Sequence, residues 1–181
     1  KMRKVIAQMS GIRIVEMVKE DLTMSKVLTR QAFENAIKVN AAIGGSTNFV
    51  IHLLAIAGRI GIKLSLDDFD IHSKDIPLIA NLQPSGNYFM EDLYYAGGLP
   101  AVMKEMLHKL NKDCITVTGK TVKENVQDAG SFNSDVIGTF EKPFNKISGI
   151  VVLKGNLCED GAVLKPSAAS PNLMKHKGKA V

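Results

Sequence analysis

The stretch AAIGGSTNFVIHLLAIAG, residues 41–58, places two glycines and three small polar residues directly before a run of large apolar residues. Glycine favours the end of a helix, and small side chains that carry an oxygen favour the start of the next one. The pattern therefore predicts that a helix ends at Gly44-Gly45 and that another begins at Ser46 or Thr47 and runs to about Ile60. Because glycine has no side chain, the pair also allows a ligand or another backbone segment to come close.

The predicted helix start is a candidate site for a negatively charged group. The first turn of a helix presents free backbone N–H groups and the positive end of the helix dipole, which together favour an anion. One turn farther along, His52 falls on the same side of the helix as Asn48. The candidate substrate-binding residues are Gly45, Ser46, Thr47, Asn48 and His52. The alternative is an ordinary helix–helix elbow, in which these side chains only cap the helix or face solvent.

Helical spacing extends to both sides of this stretch. Residues 3–20 have the apolar periodicity of a helix, residues 21–29 are predicted to be a linker, and Thr29 is predicted to cap the helix that precedes the glycine pair. Downstream, Ser65 and Asp68 form the pattern of a capping box. The apolar stripe of the central helix is predicted to be Phe49, Leu53, Ile56 and Ile60, widened by Val50, Leu54 and Ala57.

The character of the sequence changes in its last third. CITVT, residues 114–118, is predicted to be a short strand, and the residues after it a last helix with Thr118 as its cap. From Gly130 onward, short apolar runs alternate with turns that contain Gly, Pro or Asn, as in DVIGTF (135–140) and GIVVLKG (149–155). The predicted fold class is therefore α/β, with a helix-rich part over residues 1–132 followed by a β-rich part over residues 133–181.

Composition excludes several classes of function. The 181 residues are 45% hydrophobic and 23% charged, which is typical of a protein that forms a core. No apolar run approaches the roughly 20 residues of a membrane helix, so we expect no membrane association. The net charge is +5, but residues 1–15 and 165–181 hold eight basic and no acidic residues, so the rest of the chain is net acidic. A nucleic-acid-binding domain would carry its basic face through the fold, and we therefore expect no nucleic-acid partner.

Neither the TGKT stretch nor the cysteines indicate a binding site. TGKT, residues 118–121, resembles the end of a phosphate-binding loop, but the position that needs glycine is occupied by Cys114. Cys114 and Cys158 are the only cysteines, too few for a disulfide framework or a metal knuckle, and we interpret them as buried free thiols in a reducing cytoplasm.

Four long stretches carry a resemblance to a known family. FENAIKVNAAIGGSTNFVIHLLAIAGRIGIKLSLDDFD and LQPSGNYFMEDLYYAGGLPAVM are followed, in order, by DCITVTGKTVKENV and ISGIVVLKGNLCEDGAVLKPSAAS. Together they closely resemble the dihydroxy-acid dehydratase / phosphogluconate dehydratase family over nearly the whole chain. The resemblance implies an N-terminal α/β domain that continues into the start of a C-terminal β-barrel-like domain.

The resemblance also implies an activity. Proteins of this family dehydrate a 2,3-dihydroxy acid to a 2-keto acid with an iron–sulfur cluster and Mg²⁺, and a serine alkoxide is thought to remove the C2 proton. The motifs that hold the cluster, the Mg²⁺ and that serine have no counterpart in this chain. We therefore expect an internal fragment of a cytoplasmic, homo-oligomeric dehydratase, with no catalytic or metal-binding residues of its own and no activity alone.

Within the family, LKPSAASP and YYAGGLPAV look more like the sugar-acid (aldonate) branch than the branch of branched-chain amino acid biosynthesis. The sequence leaves the substrate, the cluster type and the oligomeric state open. Two alternatives of another class are a non-catalytic binding module and a small nucleotide-binding protein that uses TGKT.

Overall fold

A computed structural model of the chain describes residues 2–147, 149–170, 172, 174–175 and 177–179. The α-helices among these residues are α1 (Met2–Lys19), α2 (Met24–Val27), α3 (Arg30–Ala42), α4 (Asn48–Arg59), α5 (Leu66–Ser73), α6 (Met90–Tyr95), α7 (Gly98–Glu105) and α8 (Val122–Val126). The strands β1 (Val151–Gly155) and β2 (Cys158–Leu164) follow them. The predicted α/β class, with helices first and strands after them, is confirmed. No helix in the described part of the chain is both long and apolar enough to cross a membrane.

Helices α3, α4 and α5 share one of two hydrophobic clusters. Thr29 caps α3 as predicted, its side chain accepting a hydrogen bond from the backbone N–H of Ala32. Phe33 and Ile37, four residues apart on α3, are both buried, and Phe69 of α5 packs with them. The second cluster lies under α6 and α7, and Ala41 and Ala42 at the end of α3 belong to it. The end of α3 therefore lies in the core, which holds the turn that follows it in place.

The last turn of α3 closes in a Schellman motif. Gly44 has φ +59°, its N–H donates to the Ala41 carbonyl at 3.2 Å, and the Gly45 N–H donates to the Asn40 carbonyl at 2.9 Å. Glycine is favoured at this left-handed position because any other residue would bring its Cβ against the backbone. The prediction that the glycine pair ends the helix is confirmed.

Strands β1 and β2 form an antiparallel hairpin in which Val151 lies opposite Leu164 and Val152 opposite Val163. Val152 and Val163 pack against the cluster of α3, α4 and α5. In an antiparallel hairpin the chain enters and leaves at the same end. Residues 149 and 165 therefore come to the same edge of the helical layer.

Four local predictions were wrong. CITVT is not a strand: Ile115 makes only an isolated bridge with Thr121. The last helix is capped by Thr121 and not by Thr118. Thr121 and Glu124 form a capping box, in which each side chain accepts a hydrogen bond from the backbone N–H of the other residue. The predicted linker contains α2.

The fourth error concerns the buried face of α4. The buried residues are Leu53 and two that were predicted only to widen the stripe, Val50 and Ala57, whereas Ile56 and Ile60 at the predicted centre are 46% and 44% exposed. Helix α4 is rotated so that the Val50 side faces α3 and α5. Apolar residues flank the buried stripe of α4 on both sides, so the sequence alone does not show which side of the helix faces the core.

Candidate functional site

The glycine pair opens onto a depression of about 430 Å³ in which chemically different groups meet. The turn between α3 and α4 forms one wall, the loop before α6 forms another, and one residue after β2 completes it. The lining residues are Ile43, Gly44, Gly45, Ser46, Thr47, Leu82, Gln83, Pro84, Met90 and Lys165. Lys165 is the only charged residue in this lining.

Other parts of the chain fill the space around the two glycines. A Cβ on Gly44 would lie 2.9 Å from the side chain of Leu78, and a Cβ on Gly45 would collide with the side-chain oxygen of Asn40. A Cβ on Gly149 would lie 2.5 Å from the Cα of Gly44 and 2.9 Å from the Ala41 carbonyl oxygen. What approaches the glycine pair is thus the backbone that leads into the hairpin.

Ser46 and Thr47 leave their side chains open to the depression. Both residues are exposed. The Ser46 hydroxyl accepts a hydrogen bond from the Asn48 N–H at 3.2 Å, and Thr47, in the cap position of α4, makes no side-chain cap bond. Hydroxyl groups both donate and accept hydrogen bonds, so they suit a ligand that carries hydroxyl or carboxylate oxygens.

Lys165 reaches into the depression from the end of β2. Its ammonium group donates to the Gly44 carbonyl and, at 3.3 Å, to the Gly45 carbonyl. These bonds use two of its three N–H donors. Burial lowers the pKa of the Lys165 side chain below 10.5, because desolvation disfavours the charged form.

The loop before α6 is held by its own hydrogen bonds. The Gln83 N–H donates to the Tyr88 carbonyl at 2.8 Å, and the Asn87 N–H donates to the side chain of Asn81 at 3.1 Å. The peptide between Gln83 and Pro84 is cis. These bonds fix the loop that presents Gln83 to the depression.

Three of the five predicted site residues line this depression. Gly45, Ser46 and Thr47 line the depression, while Asn48 and His52 lie outside the lining, on the exposed face of α4. Sequence reasoning missed Lys165. A signal was present, since a lysine ends the apolar run of β2 directly before a proline, but sequence spacing does not show which turn it reaches.

Two larger grooves lack comparable chemistry. One, of about 490 Å³, runs beside α3 and contains Cys114 but no charged side chain. The other, of about 720 Å³, lies along α1, where most of the lining is apolar and Arg13 is paired with Glu16 and Glu20. Neither brings a cation and free hydroxyls together.

The described residues do not fit an iron–sulfur cluster or a metal ion. No group of three or more His, Cys, Asp or Glu side chains in this part of the chain could hold a metal. Cys114 is half-buried, and burial raises the pKa of its thiol, which is the opposite of what a thiolate ligand needs. Cys158 is exposed, so the prediction of a buried thiol was wrong there, and its thiol donates to the Gly161 carbonyl.

Comparisons with known proteins show what the chain is similar to. Residues 1–125 match the dihydroxy-acid/6-phosphogluconate dehydratase N-terminal family, and residues 135–181 match the C-terminal family of the same enzymes. The chain is 61% identical over 181 residues to a protein of Rhizobium leguminosarum bv. trifolii named L-arabinonate dehydratase. It is 56% identical to an L-arabonate dehydratase of Azospirillum brasilense and 49% identical to a dihydroxy-acid dehydratase of Caldicellulosiruptor bescii.

These matches cover almost all of this chain but only part of each relative. The first two take in 99% of the chain and the third 97%, whereas the matched region is 31% of the length of the first two relatives and 32% of the third. The chain belongs to the dihydroxy-acid/6-phosphogluconate dehydratase family.

Proposed function

We propose that this chain is part of a hydro-lyase that converts a 2,3-dihydroxy sugar acid to a 2-keto-3-deoxy acid by loss of water. The observation that carries the proposal is the 61% identity to a protein named L-arabinonate dehydratase over 99% of the chain. In this reaction the C2 proton and the C3 hydroxyl leave as water, and the resulting enol becomes the 2-keto group.

The residues of the depression are consistent with such a substrate. A sugar acid carries a carboxylate and several hydroxyls, and the depression offers one ammonium group and the hydroxyls of Ser46 and Thr47. We propose that Gly45, Ser46 and Thr47 line the substrate cleft of the enzyme. Substrate contact by Asn48 and His52 stays a prediction.

The chemical step needs groups that the described residues do not supply. The described residues do not fit a cluster or a metal ion. The iron–sulfur cluster and Mg²⁺ that the family resemblance implies would be held by other parts of the enzyme. The cytoplasmic location and the homo-oligomeric state are likewise inferred from that resemblance.

A second candidate substrate comes from the relatives. Several proteins that are 45–50% identical to this chain are named dihydroxy-acid dehydratase. The alternative function is therefore the dehydration of a branched-chain dihydroxy acid. A non-catalytic module is the remaining alternative of another class.

An anaerobic dehydration assay of the full-length enzyme separates these functions. The substrates are L-arabinonate, D-xylonate, 6-phosphogluconate and 2,3-dihydroxyisovalerate, and the readout is formation of the 2-keto acid. A preference for an aldonate supports the proposal, and a preference for dihydroxyisovalerate replaces it with the alternative. No turnover of any acid by protein with a fully loaded cluster would leave only the non-catalytic module.

Substitutions in the same enzyme test the proposed cleft. Thr47→Ala and Ser46→Ala are expected to raise KM for the preferred acid, and Ser134→Ala, which removes an exposed hydroxyl outside the depression, serves as the control. The double variant Asn48→Ala/His52→Ala shows whether substrate contact continues down α4. If neither Ser46→Ala nor Thr47→Ala changes KM, the turn is an ordinary elbow between helices.

A further inference from the structure

The turn between α3 and α4 is held from outside by the segment that forms the hairpin. Gly149, just before β1, lies against Gly44, and its N–H donates to the Ala41 carbonyl at 3.3 Å. Lys165, just after β2, donates to the carbonyls of Gly44 and Gly45. The two contacts come from the two ends of one antiparallel hairpin, so they act on the turn together.

The two contacts differ in what they can control. The backbone of Gly149 restricts the turn only by excluding volume: the turn cannot adopt a conformation that would overlap with it. Lys165 acts through a side chain whose hydrogen bonds are directional and charge-assisted, and such bonds are stronger than those between neutral groups. Carbonyl oxygens that point at one ammonium group cannot rotate away without losing a bond. Lys165 therefore sets the orientation of the peptide units of Gly44 and Gly45, directly before the hydroxyls of Ser46 and Thr47.

No competing charge interferes with this arrangement. None of the other lining residues of the depression is titratable, and desolvation is the only cause that acts on Lys165. The buried ammonium group keeps two backbone carbonyls as hydrogen-bond acceptors. A lysine placed only for solubility would point to solvent.

We propose that Lys165 is a positioning residue of the dehydratase, which fixes the Gly44–Gly45 turn and thereby the substrate-facing hydroxyls of Ser46 and Thr47. This inference rests on the proposed function for its effect on turnover. The claim that Lys165 fixes the turn is independent of the proposed function. Lys165 is assigned no chemical step, because its two donated bonds go to the protein's own backbone.

The test compares Lys165→Met with Lys154→Met in the full-length enzyme. Lys154 also joins the hairpin to the helical layer, through an exposed ion pair with Asp67 of α5, but it does not reach the turn. Lys154→Met therefore reproduces any general loosening of the hairpin without touching Gly44 or Gly45. Cluster content and melting temperature are measured for both variants so that only folded, loaded protein is compared.

Two readouts are taken from each variant. The first is amide hydrogen exchange of a peptide that covers residues 41–48. The second is the change in KM and kcat for the preferred acid. Since the turn is proposed to contact substrate equally before and during the reaction, we expect Lys165→Met to raise exchange and to raise KM about tenfold while kcat changes less than about threefold. Lys154→Met is expected to change neither readout.

Several results would overturn the inference. Unchanged exchange in Lys165→Met would remove the structural role, and raised exchange with unchanged KM would remove the role in the reaction. Equal effects of Lys154→Met would show that only hairpin docking matters. If Lys165→Met does not fold, Lys165→Gln, which shortens the side chain and removes its charge, is judged by the same criteria. If wild-type enzyme with a loaded cluster turns over none of the acids, the proposed function fails, and the exchange result still decides whether Lys165 fixes the turn.

Discussion

Gly149 is the residue whose replacement should disturb the depression most directly. Gly149→Ala would place a methyl group 2.5 Å from the Cα of Gly44, and because both partners belong to the backbone, the hairpin must move. We expect a loss of roughly 1–3 kcal/mol in the free energy of unfolding. The measurement is urea unfolding of the full-length protein, followed by circular dichroism.

Gly58→Ala is the matched control for that substitution. Nothing lies within 4 Å of a Cβ built on Gly58, which is inside α4. Alanine stabilises a helix by up to about 1 kcal/mol relative to glycine, so this variant should be equal to or more stable than wild type. A Gly149→Ala protein as stable as Gly58→Ala would mean that the approach of the two backbones is looser than the structure has it.

Lys165 should give the protein a measurable alkaline signature. Its pKa is below 10.5 in the folded state, so on raising the pH the folded protein releases this proton before the unfolded chain does. The free energy of unfolding should therefore rise with pH just below pH 10.5, relative to that of Lys165→Met. The measurement is the difference in unfolding free energy between the two proteins across that range. A difference that stays constant with pH would contradict the burial of this group.

Helix α5 is joined to α3 by an ion pair that also caps it. Asp68 accepts hydrogen bonds from Arg30, from the Ser65 N–H at 2.8 Å and from the Ser65 hydroxyl at 3.3 Å. Burial raises the pKa of Asp68, but the hydrogen bonds from Arg30 and Ser65 outweigh it, so the pKa lies below 3.8. The carboxylate thus stabilises the fold above pH 3.8, and this contribution is lost as the pH falls through the lowered pKa.

Asp68→Asn should accordingly cost roughly 1–2 kcal/mol at neutral pH, the value of a lost helix cap at its upper range. The difference from wild type should shrink below about pH 4. Asp67→Asn is the control. The carboxylate of Asp67 pairs with Lys154 at an exposed position, so this substitution should lower the free energy of unfolding by less than about 1 kcal/mol. Equal losses for the two variants, by chemical unfolding, would contradict the special role of Asp68.

The helices show how far local sequence signals reach. Thr29, Ser65 and the glycine pair were assigned correctly because capping depends on residues within one turn. Residues 114–118 were assigned to a strand because β-branched residues favour strands, but a strand needs a partner, and here only one bridge forms. Pairing is a property of the tertiary fold and cannot be found in a five-residue pattern.

The candidate site shows the same limit. Ser46 and Thr47 could be found because they follow a helix-ending glycine pair. Lys165 could not, since it is 121 residues from Gly44 in sequence and only the hairpin brings the two together. Local sequence patterns identify site residues that lie close together in the chain. Site residues that are distant in the chain, such as Lys165, are brought to the site by long-range packing.

Helix α1 exposes an unusual number of apolar side chains. Eight apolar side chains of α1 are each about half exposed or more, and they are Met2, Val5, Ile6, Met9, Ile12, Ile14, Val15 and Val18. Exposed apolar side chains in this number favour association. We expect the 181-residue chain, expressed by itself, to bind a hydrophobic dye strongly and to elute as an oligomer or aggregate in gel filtration.

Charged substitutions on α1 test this expectation. Met9→Lys and Val18→Lys, at positions that are 63% and 77% exposed, should lower both dye binding and apparent size without loss of helix content. Ser134→Lys, at an exposed polar position, is the control for added charge. A wild-type chain that is monomeric and binds no dye would show that α1 is covered in solution.

The meeting of Gly149 and Lys165 with the Gly44–Gly45 turn has a consequence for recombination between relatives. The regions that match the two family halves end at residue 125 and begin at residue 135, so a natural crossover point lies between them. Across that junction, the groups that Gly149 and Lys165 touch on this turn are backbone atoms, which every homologue possesses. Hybrid enzymes that join the N-terminal part of one relative to the C-terminal part of another should therefore keep this depression. The condition is that the two donor sequences supply glycine at positions 44 and 149 and lysine at position 165.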